Sequence, residues 1–402
     1  MRVVVAHPVR QHSHQLAAAL EAAGMLQIYM TMLPAREDLA RWPPILSSAL
    51  TRLAPGLDFA ELPPRRTRSF TAPWIFKRSL DRLSGTTRNQ TSETLAFAIF
   101  DQWVARQIHR LRPSVVVGYE IASTATFAAA RRVGAKCILD AAAFASGLQD
   151  ERLISERRMA NTAVGRWIRR RKAAEVAMAD MIVCCSDIAA KSYIAAGVAP
   201  ERVVVNPLGC DVAWFASVAR SAEGAPRFCF VGAASETKGF GDLLAAVAAC
   251  RRSFPALELH VIGDPQAARR FGARDGQDGI ILHGKKSHGD LAILLARMDV
   301  LVLPSILDSF GMVVPEAVAA GAFVIVTDMV GAGMIVDDER VGAIVAAGDL
   351  EALGREMLKA ARNIDQVRAE AQFRRQHAQD WDWLHYRRAQ WRYSTPYRQI
   401  IC

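Results

Sequence analysis

The stretch from Asp299 to Asp328 constrains the fold of this chain more than any other. Asp299-Val-Leu-Val-Leu303 is a short apolar run and reads as a buried strand. Pro304 and Ser305 end it. Small helix formers follow from Glu316 to Ala320, Gly321 is a natural helix stop, and Phe323–Val326 is a second buried strand. Strand, loop, helix and strand in that order form the repeating piece of a parallel sheet. The loop falls at the carboxyl end of its strand, where open α/β sheets bind ligands. Similar apolar runs recur at Val3–Ala6, Val115–Gly118, Cys137–Leu139 and Val203–Val205, and again at Phe228–Gly232, Leu257–Ile262 and Ile280–Gly284. With 402 residues, the chain has room for two or three domains of this kind.

Two carboxylates bracket the loop, Asp308 lying eight positions before Glu316. Pro315 suits a first helical turn, and Gly311 lets the backbone approach a ligand closely. The amides of Gly311, Met312 and Val313 would then point out of the helix start and form an anion site. One loop thus offers carboxylates to sugar hydroxyls and amides to phosphate. For the carboxylates alone, a helix start with favourable acidic neighbours is at least as good a reading. A second loop, Ala233 to Phe240, follows the strand that ends at Gly232. It carries Lys238-Gly239, and a lysine at a helix start suits that helix poorly unless an anion binds there. Gly232, Gly239 and Gly241 do not form GxGxxG, and Lys238 precedes glycine instead of Ser or Thr. Dinucleotide and Walker-type sites are therefore not expected.

Together, Asp308, Phe310-Gly311, Glu316-Ala317 and Gly321 resemble the donor-site signature of GT-B retaining glycosyltransferases of family four. Val203–Asp211, with Asn206-Pro207, Gly209 and Asp211, is similar to the family's exit from its first domain. The resemblance implies an α/β fold of two Rossmann-like doubly wound domains facing a cleft. An acceptor-binding domain would span 1–215 and a nucleotide-sugar-binding domain 216–375. An aromatic segment, 376–402, with Trp381, Trp383, Tyr386, Trp391 and Tyr393, would cross back onto the first domain. It further implies that Glu316 holds the nucleotide ribose, Asp308 faces the transferred sugar, and Lys238 balances the diphosphate. The strand ends at Gly232, Gly263 and His283 would frame the donor, and Phe310, Gly311, Met312 and Val313 would line it. The nucleotide sugar is a substrate; no cofactor or metal is implied, and no metal-ligand spacing occurs. The chain departs from the family at Asp308 where Glu is usual, at Ala233 where Arg is usual, at Cys210 where Val is common, between Ala141 and Gly147, which hold no histidine, and in the loop after the first strand, which lacks the glycine pair of many relatives.

On the acceptor side the candidates are His12, Ser13, Glu120 and Asp140. The histidine-bearing loop after the first strand reads equally as a ligand-contacting loop and as a helix cap. Glu120 and Asp140 end neighbouring strands and read either as cleft-edge acids or as caps. Residues 1–215 carry 28 Lys+Arg against 18 Asp+Glu, whereas 216–402 carry 22 of each, so the charge excess of +10 lies wholly in the first half. An excess confined to one half points to an anionic partner for that half. Arg65, Arg66, Arg68, Lys77, Arg78 and Arg82 alternate with Phe70, Trp74, Ile75 and Phe76, and a basic run spans Arg166–Lys172 beside Trp167. Both fit an anionic membrane surface, although a solvated basic face reads slightly better for the first. No basic stripe with aromatic stacking suggests nucleic acid. Seven cysteines without a CxxC pair suggest a reducing, cytoplasmic setting, peripheral to the membrane if the basic half docks there. The expected activity is transfer of a sugar from a nucleotide-diphosphate sugar to a glycan or lipid-linked acceptor, in cell-envelope polysaccharide synthesis. The alternatives are an inactive binding or scaffold protein of the same fold and a nucleotide-sugar epimerase.

Overall fold

The computed structural model describes residues 1–34, 62–83, 90–146, 161–221 and 223–392. Much of the proline-punctuated stretch, including Pro43, Pro44 and Pro55, lies outside the described residues, as does the tail after Arg392 with Tyr393. The chain divides into two compact units. The first comprises Met1–Cys184, Ala190–Asn206 and Arg387–Cys402; the second comprises Cys185–Ala189 and Pro207–Tyr386. Each is a Rossmann-like α/β domain built on one parallel sheet.

The first sheet contains β1 (Val3–Ala6), β2 (Leu26–Thr31), β3 (Thr67–Ser69), β4 (Val115–Tyr119), β5 (Lys136–Ala141), β6 (Met181–Cys184) and β7 (Val203–Val205), in the order β3-β2-β1-β4-β5-β6-β7. Every pairing is parallel. The order reverses between β1 and β4, so that is the sheet's switch point. Val3 and Val5 pack with Leu16 and Leu20 of the helix Ser13–Ala22 and with Tyr29 and Val117. Alanine and leucine make that helix, and Gly24, at φ +68°, ends it. β3 falls in a stretch that reads as irregular; three polar residues, Thr67–Ser69, give no apolar run to mark a strand.

Two buried carboxylates organise the helices behind β4. Asp101 accepts the amides of Ala125 and Thr126, each at 2.8 Å, and pairs with Arg171. Glu175 accepts the amides of Ile121 (2.7 Å) and Ser123 (2.9 Å) and the hydroxyl of Thr124 (3.0 Å). Burial raises the Glu175 carboxyl to about 7 despite those bonds. Between them Ile121 is held at φ +71°, a costly conformation for a β-branched residue, with its carbonyl taking Arg171 Nε at 2.7 Å. The basic run of Arg166–Lys172 lies on the helix Ala163–Met178, and not all of it faces solvent. Arg171 pairs with Asp101, and Lys172 pairs with Glu120 at 2.7 Å. The aromatic stretch is likewise partly internal. Phe70 stacks on Trp103 at 5.2 Å and Trp74 is buried, while Phe76 stays exposed. The chain re-enters this unit at Arg387, whose guanidinium donates to Gln15 Oε1 at 2.8 Å.

The second sheet contains β8 (Arg227–Val231), β9 (Glu258–Ile262), β10 (Ile280–Leu282), β11 (Val300–Leu303), β12 (Phe323–Thr327) and β13 (Gly342–Val345), in the order β10-β9-β8-β11-β12-β13, again all parallel. Its switch point lies between β8 and β11. Asp299, fully buried, anchors the start of β11. It takes Arg368 Nε and Nη2, both at 2.9 Å, and the Arg227 amide at 3.0 Å. A buried acid needs donors for its lone pairs, and these supply them.

Candidate active site

Two loops leave the second sheet at its switch point, residues 232–239 after β8 and 304–312 after β11. They touch backbone to backbone. A Cβ on Gly239, whose φ is +62°, would lie 2.0 Å from the Pro304 carbonyl oxygen. The Ile306 amide donates to the Thr237 carbonyl at 2.9 Å. That contact brings Lys238 and Asp308 together, and the ammonium pairs directly with Asp308 Oδ2. The lysine side chain is 28% exposed and the aspartate 11%, so the pair is open on the lysine side.

The β11 loop is held from below by the chain that follows β12. The Asp308 amide donates to Met329 O (2.9 Å), Gly331 to Asp308 O (2.9 Å) and Ala332 to Phe310 O (2.6 Å). Ser186, in the short segment Cys185–Ala189 of this unit, donates its hydroxyl to Ser309 O at 2.6 Å. No sequence signal marks Ser186, because its partner lies 123 residues away. Phe310 is buried and serves as the loop's apolar anchor, and Val313 is buried too. The amides of Gly311 and Met312 lead into the helix Val313–Ala320, with Pro315 in its first turn. Gly311 has φ +86°, and a Cβ there would come within 2.9 Å of Val330 Cγ1 and 3.2 Å of Leu303 Cδ2. Gly311→Ala is therefore expected to cost about 1–3 kcal/mol, read as a lowered melting temperature; an unchanged melting temperature would show that the loop accommodates a side chain.

Glu316 differs from the other acids of the site. It is half-buried, and it makes no hydrogen bond or ion pair among the described residues. Burial alone raises its carboxyl to about 8. The strand ends nearby converge: a Cβ on Gly263 would lie 2.1 Å from the Gly232 carbonyl oxygen. His283 follows β10, but its ring is engaged elsewhere. Its Nε2 hydrogen-bonds His260 Nδ1 at 2.8 Å, the rings stack at 5.1 Å, and His260 Nε2 reaches Glu258 at 3.2 Å. Burial lowers both imidazoles below their ordinary value.

In the first unit the acceptor-side candidates separate. His12 Nε2 and Asp140 Oδ1 lie 2.9 Å apart, both buried, at the ends of β1 and β5. The Tyr119 ring meets His7 edge-on at 4.3 Å and His12 at 5.6 Å. Burial, then repulsion from His12, pushes His7 down to about 3, so it stays neutral. Ser13 is not brought into this group. Its hydroxyl donates to Arg10 O at 2.7 Å and meets Tyr29 OH at 2.8 Å, fully buried. Glu120 is occupied by Lys172 at 2.7 Å, Tyr193 OH at 2.9 Å and the Ala143 amide at 3.0 Å. Among the described residues, no group of three or more His, Cys, Asp or Glu could hold a metal ion.

Residues 9–209 match the family described as glycosyl transferase 4-like domain, and residues 215–376 match glycosyl transferases group 1. This chain is a GT-B glycosyltransferase. The glycosyltransferase is 30% identical over 206 residues to glycogen synthase of Mycobacterium tuberculosis, covering 46% of each chain. It is 29% identical over 189 residues to a D-inositol 3-phosphate glycosyltransferase of Segniliparus rotundus, covering 42% of each. The matches thus span less than half the length of these curated relatives. In fold it is similar to sucrose-phosphate synthase of Thermosynechococcus elongatus (TM-score 0.70, 17% identity, 100% and 99% coverage). It is also similar to Anabaena HepE solved with UDP (TM-score 0.63, 14% identity, 96% and 98% coverage). Among the described residues, no helix is long and apolar enough to cross a membrane.

Proposed function

We propose that the glycosyltransferase moves a sugar from a nucleotide-diphosphate sugar to a glycan or lipid-linked acceptor with retention at the anomeric carbon, in cell-envelope polysaccharide synthesis at the cytoplasmic face of the membrane. The observation that carries the donor assignment is Glu316, a half-buried carboxyl raised to about 8 with no hydrogen-bond or ion-pair partner among the described residues. A pair of ribose hydroxyls would satisfy it. Lys238 and the amides from Gly311 to Val313 meet the diphosphate, and Asp308 positions the sugar. The HepE structures with UDP and with UDP-glucose support a donor of this class.

As the bond from the anomeric carbon to the diphosphate oxygen breaks, negative charge grows on the phosphate and positive charge on the sugar. Lys238 and the helix-start amides stabilise the first. The acceptor hydroxyl bonds to the anomeric carbon from the leaving-group side, and its proton passes to a phosphate oxygen. The scheme calls on no metal or cofactor. Incubation with UDP-, GDP- and ADP-sugars should show one of them raising the melting temperature, since a ligand stabilises the state it binds. Product analysis by NMR should show the donor's anomeric configuration kept. An inverted product would overturn retention. A panel without any stabilising nucleotide would remove the donor assignment.

A further inference from the structure

A groove of about 420 Å³ runs between the helices Gln90–Leu111 and Thr124–Arg132 of the first unit. Its rim is cationic. Gln102, Arg106 and His109 stand at one-turn spacing along the first helix, on a flank apart from its buried Phe100, Val104 and Ile108. Arg132 lines the same groove from the second helix. Ala125, Ala128 and Ala129 also line it from that helix, with Thr124, whose hydroxyl is taken by Glu175.

Positive charge here is not balanced by an acid among the described residues. Arg106, His109 and Arg132 make no hydrogen bond or ion pair among the described residues. Arg171 also lines the groove, but Asp101 and the Ile121 carbonyl already hold it. Asp101 is fully buried and takes two amides besides Arg171, so it has no capacity left for the rim. Guanidinium groups gathered around a concave surface without a counter-charge repel one another in the free protein. An anion with several oxygens would relieve that repulsion and match their forked donors.

We propose that this groove binds a phosphate group, supplied either by a small phosphorylated molecule or by the headgroup of an anionic phospholipid. The site involves none of the residues assigned to the donor, so its failure would leave the proposed transfer reaction standing.

The full-length protein and its Arg106→Gln/Arg132→Gln variant are to be compared with two probes. One is inorganic phosphate, followed by calorimetric titration. The other is sedimentation with phosphatidylcholine vesicles, with and without phosphatidylglycerol. The wild-type protein should bind at least one probe, more weakly as salt rises. The double variant should lose roughly tenfold per arginine removed. Binding to phosphate in solution assigns a soluble ligand; sedimentation only with phosphatidylglycerol assigns a lipid headgroup. If neither probe binds, or the variant binds as well as wild type, the proposal fails. Should the double variant not fold, Ala128→Glu places a carboxylate inside the groove and must produce the same loss; unchanged binding by that protein overturns the site equally.

Discussion

Replacing Glu316 with glutamine will stabilise the unliganded glycosyltransferase at pH 8 and weaken its hold on the nucleotide. The two effects have one cause. In the folded protein burial raises the carboxyl from its ordinary 4.5 to about 8. Between those values the unfolded chain releases the proton and the folded chain keeps it. The folded state then binds more protons, so stability falls as pH rises from 4.5 and levels off above 8. Glutamine removes that slope. The gain at pH 8 should be roughly 1–3 kcal/mol, or about 2–6 °C in melting temperature. Ribose hydroxyls that donate to the ionised carboxylate would release its proton. Nucleoside diphosphate affinity should therefore rise with pH up to about 8 in the wild type. In the glutamine variant affinity should be about 10–100-fold weaker and lack that carboxyl's contribution to the pH dependence. Calorimetry in buffers of differing ionisation enthalpy measures the proton directly. An affinity unaltered by the substitution would end the ribose assignment, even if the stability gain appeared.

The second large effect is expected at Lys238. Lys238→Met should lower kcat by about 100–1,000-fold, the usual loss when a group that stabilises developing charge is removed. KM for the donor should move much less, because on the proposed scheme the helix-start amides would still meet the ground-state phosphate. The substitution also leaves Asp308, only 11% exposed, without its ammonium partner, so a fall in stability should accompany it. The kinetic and structural losses separate in Lys238→Met/Asp308→Asn. That double variant should recover stability and remain inactive. Turnover near the wild-type rate in Lys238→Met would show that the ammonium serves only to hold the two loops.

The paired loops of the second unit were legible because the residues that mark them are local. Asp308, Gly311 and Glu316 lie on one loop and the helix it enters, and Lys238 sits in the other loop at the same switch point. Apolar runs marked five of the six strands of the second sheet; β13, Gly342–Val345, with glycine and alanine at its start, was not among them. The first unit resisted for the opposite reason. Asp101 and Glu175 act on residues 24 to 54 positions away, so nothing beside them in sequence announces their role. Arg171 and Lys172 belong to a run that looks solvated, yet both turn inward to carboxylates. Ser13 and Glu120 stand at the right places in the sequence, but the side chains are consumed by internal bonds. Only His12 and Asp140 remain together at the sheet's switch point. The sequence pattern locates loops; it does not say which polar groups the fold has already used.

The contact between Lys238 and Asp308 also bears on how a catalytic cycle would finish. On the proposed scheme, an arriving diphosphate would have to displace a carboxylate that already holds the ammonium. The same carboxylate can reclaim it once the sugar has gone, acting as a resident competitor to the spent nucleotide. A site wired this way trades some grip for a faster exit, and Asp308→Asn should reveal it as a slower nucleotide off-rate.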